Sequence, residues 1–398
     1  MISVGIDVSK EKSTVCILKP YGEIISSPFE ILHTEKELSE LVRMLKRFDE
    51  EVRVVMEATG TYHLPVLSYL KENNLYASVI NPFIMKEYRC KGLRRGKTDR
   101  LDAIMIANYG IDNWFHLENY EFSESTYNEL KLLGRQYAHY MKMRIDSVLV
   151  LTNMLDYTMP GIKTLLKGWR EDSGKDKLSD FVEEYWHYDN ITKKSEKQFI
   201  NSYLKWAEKK GYHQNQSKAQ KIYGMAKEGI PTLSSSTPST KMLVLEAVRV
   251  LREVDNTLKM ILTQMKELAR SLKEYPIVRA MGGVGEVLAP KLIAEIGDVK
   301  RFHSGKALIA YAGIDAPPYQ SGQFIGTNRR ISKRGSSTLR KIGYETMRCL
   351  KTTKNVDDSV YQFMIKKENE GKPKKVAKMA GLNKFLRIYY ARVKEAYQ

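Results

Sequence analysis

The sequence predicts an α/β domain at the N-terminus, a long helical middle of coiled-coil type and a mainly α C-terminal domain with a helix-hairpin-helix. Three observations predict it. Short apolar runs come first in hairpins and then alternate with helical patterns; apolar residues recur at heptad steps in the middle; and a glycine turn joins two apolar helices beyond residue 274. The chain has 398 residues, 42% of them hydrophobic, enough for more than one core. The boundaries that follow are 1–120, 121–273 with a polar insertion at 161–240, and 274–398.

In the first part, "ISVGIDVS", "STVCILKP" and "GEIISSPFEI" read as three strands joined by tight turns. A helix over "EKELSELVRMLKRF" follows, then a strand at "VRVVME", a helix from Pro65 to Asn73, a strand at "YASVINP" and a helix beginning near Thr98. Hairpins followed by strand and helix in alternation give a mixed sheet covered by helices.

In the middle, Leu130, Leu133, Tyr137, Met141, Ile145 and Val148 fall at three- and four-residue steps and give one apolar face. Ala247, Leu251, Val254, Leu258, Ile261, Met265, Leu268 and Leu272 alternate steps of four and three, the pattern of a coiled coil. These heptads fit a hairpin within one chain as well as pairing between chains. Residues 161–240 between them are polar and lysine-rich, and "PTLSSSTPST" reads as a flexible connector. Trp169, Trp186 and Trp206 suit a small helical core there.

The last part opens with "YPIVRAMGGVGEVLAPKLIAEIGD", in which one helix stops at a glycine turn and a second starts at once. Gly283 and Gly285 can expose backbone N–H groups to a phosphate, or form an ordinary turn between helices.

A net charge of +18 favours a polyanionic partner, nucleic acid first. No stretch approaches the roughly 20 apolar residues of a spanning helix, no signal peptide opens the chain, and a cytoplasmic protein without a membrane partner is expected. Cys16, Cys90 and Cys349 lie far apart without a CxxC pair and suit neither a disulfide framework nor a structural zinc site.

Four carboxylates stand out against that positive background. Asp7 in "VGIDVSK" and Glu57 in "VVMEATGTYH" each end an apolar run, where desolvation of a charge is costly. Asp99 and Asp102 in "GKTDRLDAIMIA" are spaced to project from one face of a helix. Each has an ordinary role open to it as a turn or cap residue. Together they form an oxygen-donor set for Mg²⁺ or Mn²⁺, and a metal pair can activate a nucleophile and stabilise a leaving oxygen in phosphodiester chemistry. Arg94, Arg95, Lys97 and Arg100, with Lys86, Arg89 and Lys91, fringe the set and suit phosphate.

"GIDVSKEK", "VVMEATGTYH", "VINP" and "KTDRLDA" together resemble the N-terminal half of IS110-family transposases, with a ribonuclease-H-like fold similar to that of the RuvC resolvase. The resemblance implies that Asp7, Glu57, Asp99 and Asp102 bind divalent metal. "YAGIDAPPYQSG" followed by "RRISKRGSSTLRK" resembles the family's C-terminal domain, whose serine before glycine attacks a DNA phosphate to give a 5′-phosphoserine link. That position is Ser321. The family's block carries a second serine just before it, where this chain has Gln320; Ser332, Ser336 and Ser337 are the other serines of the block. Arg329, Arg330, Lys333 and Arg334 form an acid-free basic run suited to phosphate contact.

No histidine neighbours Ser321 in sequence, and a serine hydroxyl needs activation; the simplest hypothesis is that the metals of the acid set supply it. The resemblance also implies donor and target DNA, a structured guide RNA encoded by the element, and a homo-oligomer, dimer or tetramer. The alternatives are a RuvC-like Holliday-junction nuclease that uses water, for which Ser321 is dispensable, and a non-catalytic nucleic-acid-binding protein, for which the acids are.

Overall fold

The computed structural model describes residues 1–89, 98–121, 125–166, 176–317, 320–321, 324–325 and 330–397. The chain divides into two compact units, Met1–Phe122 and Ser123–Gln398.

The first unit is built on five strands: β1 (Ile2–Val8), β2 (Lys12–Leu18), β3 (Ile24–Leu32), β4 (Val52–Glu57) and β5 (Tyr76–Ile80). They lie in the order β3-β2-β1-β4-β5. The β1–β2 and β2–β3 pairs are antiparallel, as hairpins must be, whereas β4 pairs parallel with β1 and β5 parallel with β4. The expected mixed sheet is therefore present. Its helices are α1 (Glu35–Leu45), α2 (His63–Glu72), α3 (Pro82–Arg89) and α4 (Asp99–Asp112). Thr34 caps α1 and Thr98 caps α4, each side-chain oxygen accepting from a backbone N–H three residues on. The core is aliphatic, with Val4, Ile6, Val15, Ile17, Val54 and Met56 all buried in the sheet.

Glycine decides how α4 seats. A methyl group on Gly5 of β1 would overlap the backbone of Ala103 and Ala107, and one on Gly110 would overlap the Ser3 hydroxyl. Small residues on both sides thus let the helix backbone rest directly on β1.

The second unit is helical apart from one small hairpin. Two long helices, α5 (Ser125–Thr158) and α11 (Pro238–Arg270), bracket α6 (Ile162–Leu165), α7 (Lys177–Glu184), α8 (Asp189–Thr192), α9 (Glu196–Lys209) and α10 (Gln216–Glu228). After them come α12 (Tyr275–Arg279), α13 (Leu288–Ile296), α14 (Gly305–Ala312), β6 (Gln320–Ser321), β7 (Phe324–Ile325), α15 (Ser337–Thr353), α16 (Ser359–Asn369) and α17 (Lys374–Glu395). The heptads pack within the chain: Tyr127, Leu130 and Tyr137 of α5 share a core with Val254, Leu258, Leu262 and Met265 of α11 and with α13, α15 and α17. Leu262 and Ala269 are buried where Ile261 and Leu268 were expected, and Ile145 is exposed.

The segment between the long helices has its own core, containing Phe181, Tyr188, Phe199, Tyr203 and Trp206. Its Ser/Thr/Pro stretch is bonded down, which corrects the reading as a flexible connector. The N–H groups of Thr232 and Leu233 donate to the Tyr157 carbonyl, His187 Nε2 lies 2.9 Å from the Leu233 carbonyl, and Ser235 donates to Asp189. Among the described residues Cys16 and Cys349 are free thiols, and no helix is long and apolar enough to cross a membrane.

Candidate active site

The acids of the first unit converge through backbone placement. Ile6 of β1 pairs with Met56 of β4, so Asp7 and Glu57 follow that pair at the carboxyl ends of adjacent parallel strands. Side chains alternate along a strand, so Asp7 shares a face with Gly5, the face on which α4 rests. Two residues of strand advance about 6.6 Å, close to one helical turn, which brings Asp7 level with the first turn of α4, where Asp99 and Asp102 stand. The electrostatics agree. Burial pushes the Asp7 carboxyl up from its ordinary 3.8 to about 6, with Asp102, Asp99 and Glu57 adding repulsion in that order and Arg89 opposing it.

Asp102 is buried, whereas Asp99 and Arg100 are exposed on the same first turn. Arg89, on the last turn of α3, places a guanidinium nitrogen 3.1 Å from Asp102 Oδ1. Sequence reading had set Arg89 among the phosphate-facing cations because α3 itself was not foreseen. Lys12, a cation that Asp99 influences, is paired with Glu30 at 2.7 Å. Among the described residues, no three His, Cys, Asp or Glu side chains stand close enough together to hold an ion as they are placed. The donor set nonetheless suits a hard divalent cation. All four groups offer oxygen, and their repulsion at a half-buried Asp7 is what such a charge relieves.

In the second unit, Ser321 lies on the small hairpin, Ser321 opposite Phe324 and Gln320 opposite Ile325. Only Gly322 and Gln323 separate the paired residues in sequence. The arm that carries the hairpin is closed at its neck by four bonds. Ser332 N–H donates to the Asp315 carbonyl at 2.8 Å, Lys333 N–H to Gly313 at 3.0 Å and Ser336 N–H to Tyr311 at 2.7 Å. The Ser332 hydroxyl donates to Asp315 Oδ1 at 2.5 Å. Two glycines let the two sides of the neck approach. Gly313 takes a positive φ of 63°, and a methyl on Gly335 would overlap the Tyr311 carbonyl oxygen. Arg340 spans the neck, donating to the carbonyls of Ala312 and Gly335 at 2.9 and 3.0 Å.

Ser332 and Ser336 are thereby committed to structure. Ser336 caps α15, accepting from Leu339 N–H at 3.0 Å, and donates to the buried Glu295 carboxylate. Arg330, Lys333 and Arg334 are exposed beside the neck. Arg94, Arg95, Lys97 and Arg329, with the side chain of Ser321, lie outside the described residues.

The glycine turn of the expected helix-hairpin-helix packs inward at its first half. A methyl on Gly283, where φ is 77°, would come within 2.6 Å of the Thr346 carbonyl oxygen, and one on Gly282 would overlap the Asp358 carboxylate. Gly285 is open. Glu286 next to it pairs with Arg279 and Arg270 at 3.2 and 3.1 Å. The first helix of the pair, α12, is a single turn and a half, shorter than the sequence pattern implied.

Comparison with known proteins follows the same division. Residues 4–160 match the transposase family of the IS110 DEDD type, and residues 275–362 match the transposase IS116/IS110/IS902 family. The pilin gene-inverting protein of Moraxella bovis is 23% identical over 346 residues, covering 86% of this chain and 80% of that protein. The pilin gene-inverting protein of Moraxella lacunata matches to the same extent. The Thermus thermophilus RuvC structure aligns with 29% of this chain and 95% of its own, at 14% identity and a TM-score of 0.23.

Proposed function

The chain belongs to the IS110 family of transposases, and on that footing we propose that it cuts and rejoins the ends of an insertion sequence through a 5′-phosphoserine intermediate at Ser321. Asp7, Glu57, Asp99 and Asp102 hold Mg²⁺ or Mn²⁺ in this reading. The observation that carries it is the convergence on Asp7 of three further carboxylates drawn from a second strand and from a helix. The strand order, with three antiparallel strands leading into two parallel ones, supports a ribonuclease-H-like origin for that half. The relatives' name, pilin gene-inverting protein, fits strand exchange better than simple cleavage.

The chemistry is two transesterifications. Ser321 Oγ forms a bond to phosphorus while the bond from phosphorus to the 3′ oxygen breaks; the serine loses its proton to a base and the departing 3′ oxygen gains one. A 3′ hydroxyl of another strand then attacks the phosphoserine and returns the serine, so no external energy source is needed. Bound metal would supply positive charge at the phosphate and activate the nucleophile. Arg330, Lys333 and Arg334 hold phosphate oxygens near the arm, and Ser332, fixed on Asp315, keeps the arm's base in place. Donor and target choice falls to an element-encoded structured RNA, and the working form is a homo-oligomer.

The test is incubation of the protein and its co-purifying RNA with element-end DNA and Mg²⁺, followed by a denaturing gel. A protein–DNA adduct present with wild type and lost in both Ser321→Ala and Asp102→Ala supports the reading. An adduct that survives Asp102→Ala breaks the link between acids and serine. Cleaved ends with no adduct in any variant point to water as nucleophile and to a resolvase-like hydrolysis.

A further inference from the structure

The acid set contains a cation of the chain's own. Asp102 has a side chain only 12% exposed, and a carboxylate so placed is costly without a partner. Its partner is Arg89, at 3.1 Å. The same guanidinium also opposes the repulsion that Asp102, Asp99 and Glu57 exert on Asp7. Lys12, by contrast, is tied to Glu30 at 2.7 Å.

Arg89 is also placed to leave. Its side chain is 40% exposed, and α3, which bears it, buries only Met85 among its eight residues. Tyr88 beside it holds the helix end to Asp112 at 2.5 Å, so the departure is a rotation of the Arg89 side chain into solvent and not a movement of the helix.

We propose that Arg89 is an exchangeable counter-charge, holding Asp102 when no divalent ion is present and yielding the carboxylate when one binds. This rests on the metal-binding reading of the acids above. An arginine serves better than a lysine here, since its planar fork stays charged and meets a carboxylate at low entropic cost.

The measurement is Mn²⁺ binding, followed by loss of the free hexaaqua ion's electron paramagnetic resonance signal, on the full chain without nucleic acid. Exchange requires Arg89→Gln to bind Mn²⁺ about five- to tenfold more tightly than wild type, because the ion no longer competes with a partly exposed ion pair. Arg89→Lys falls between, and Lys86→Gln, which removes one charge from the same helix, stays within about twofold of wild type. Equal or weaker binding by Arg89→Gln overturns the proposal and makes Arg89 a fixed organiser of Asp102. A different failure belongs to the metal reading itself: no Mn²⁺ uptake at millimolar concentration by any of these proteins, or uptake undiminished in Asp102→Asn.

Discussion

Neutralising Asp7 should stabilise the protein while destroying its chemistry. The carboxyl is raised from 3.8 to about 6, first by burial and then by Asp102, Asp99 and Glu57. A rise of that size corresponds to about 3 kcal/mol. The group is only half-buried, so solvent screening reduces this to about 1–2 kcal/mol. The sign is fixed by linkage. Between pH 3.8 and 6 the folded protein keeps a proton that the unfolded chain releases, so wild-type stability falls as pH rises through that window and is level above it. Asp7→Asn removes the penalty. In EDTA at pH 7.5 its unfolding midpoint should lie about 4 °C above wild type, given a unit of this size. At pH 4.5, inside that window, the gap should shrink to about a third of its value at pH 7.5, and added Mg²⁺ should raise wild type and not the variant. Scanning fluorimetry at both pH values reads all of this. A variant no more stable than wild type at pH 7.5, or a gap that persists unchanged at pH 4.5, would refute the account of Asp7 as a strained acid.

Two glycines give further tests. Gly5→Ala puts a methyl into the backbone of Ala103 and Ala107, neither of which can yield, and should cost about 3 kcal/mol and abolish Mn²⁺ binding by lifting α4 away from Asp7; a wild-type midpoint would show that α4 does not depend on this seat. Gly335→Ala puts a methyl against the Tyr311 carbonyl at the neck of the serine arm, and should cut adduct formation at least tenfold while leaving Mn²⁺ affinity at the wild-type value. Loss of both together would mean that the damage is general rather than confined to the arm.

Strands such as "ISVGIDV" and "VRVVME" were legible because apolar and β-branched residues dominate them. The pairing of β1 with β4 was not legible, since it depends on contacts fifty residues apart. The acids could be grouped because Asp7 and Glu57 each end an apolar run and Asp99 and Asp102 are spaced for one helix face. Arg89's place beside Asp102 escaped because α3, "PFIMKEYR", buries a single residue and so has no period to read. In α11 the stripe widens for a geometric reason. A straight α-helix drifts about 20° per heptad from a strict seven-residue repeat, so Leu262 and Ala269 become fully buried while Ile261 and Leu268 pack partly buried beside them. "PTLSSSTPST" was misread because composition reports the absence of a helix and not the carbonyl of Tyr157 that pins the backbone.

The neck between Tyr311 and Ser336 has a consequence for how such a chain can change over generations. With the two sides clamped by four bonds and Arg340, residues between 315 and 332 form a loop whose ends are already joined. Doubling the length of a closed loop costs only about 0.6 kcal/mol. Insertions, deletions and replacements within the arm therefore leave the helical core almost untouched. The arm can diversify in sequence while the helical body that carries it stays the same.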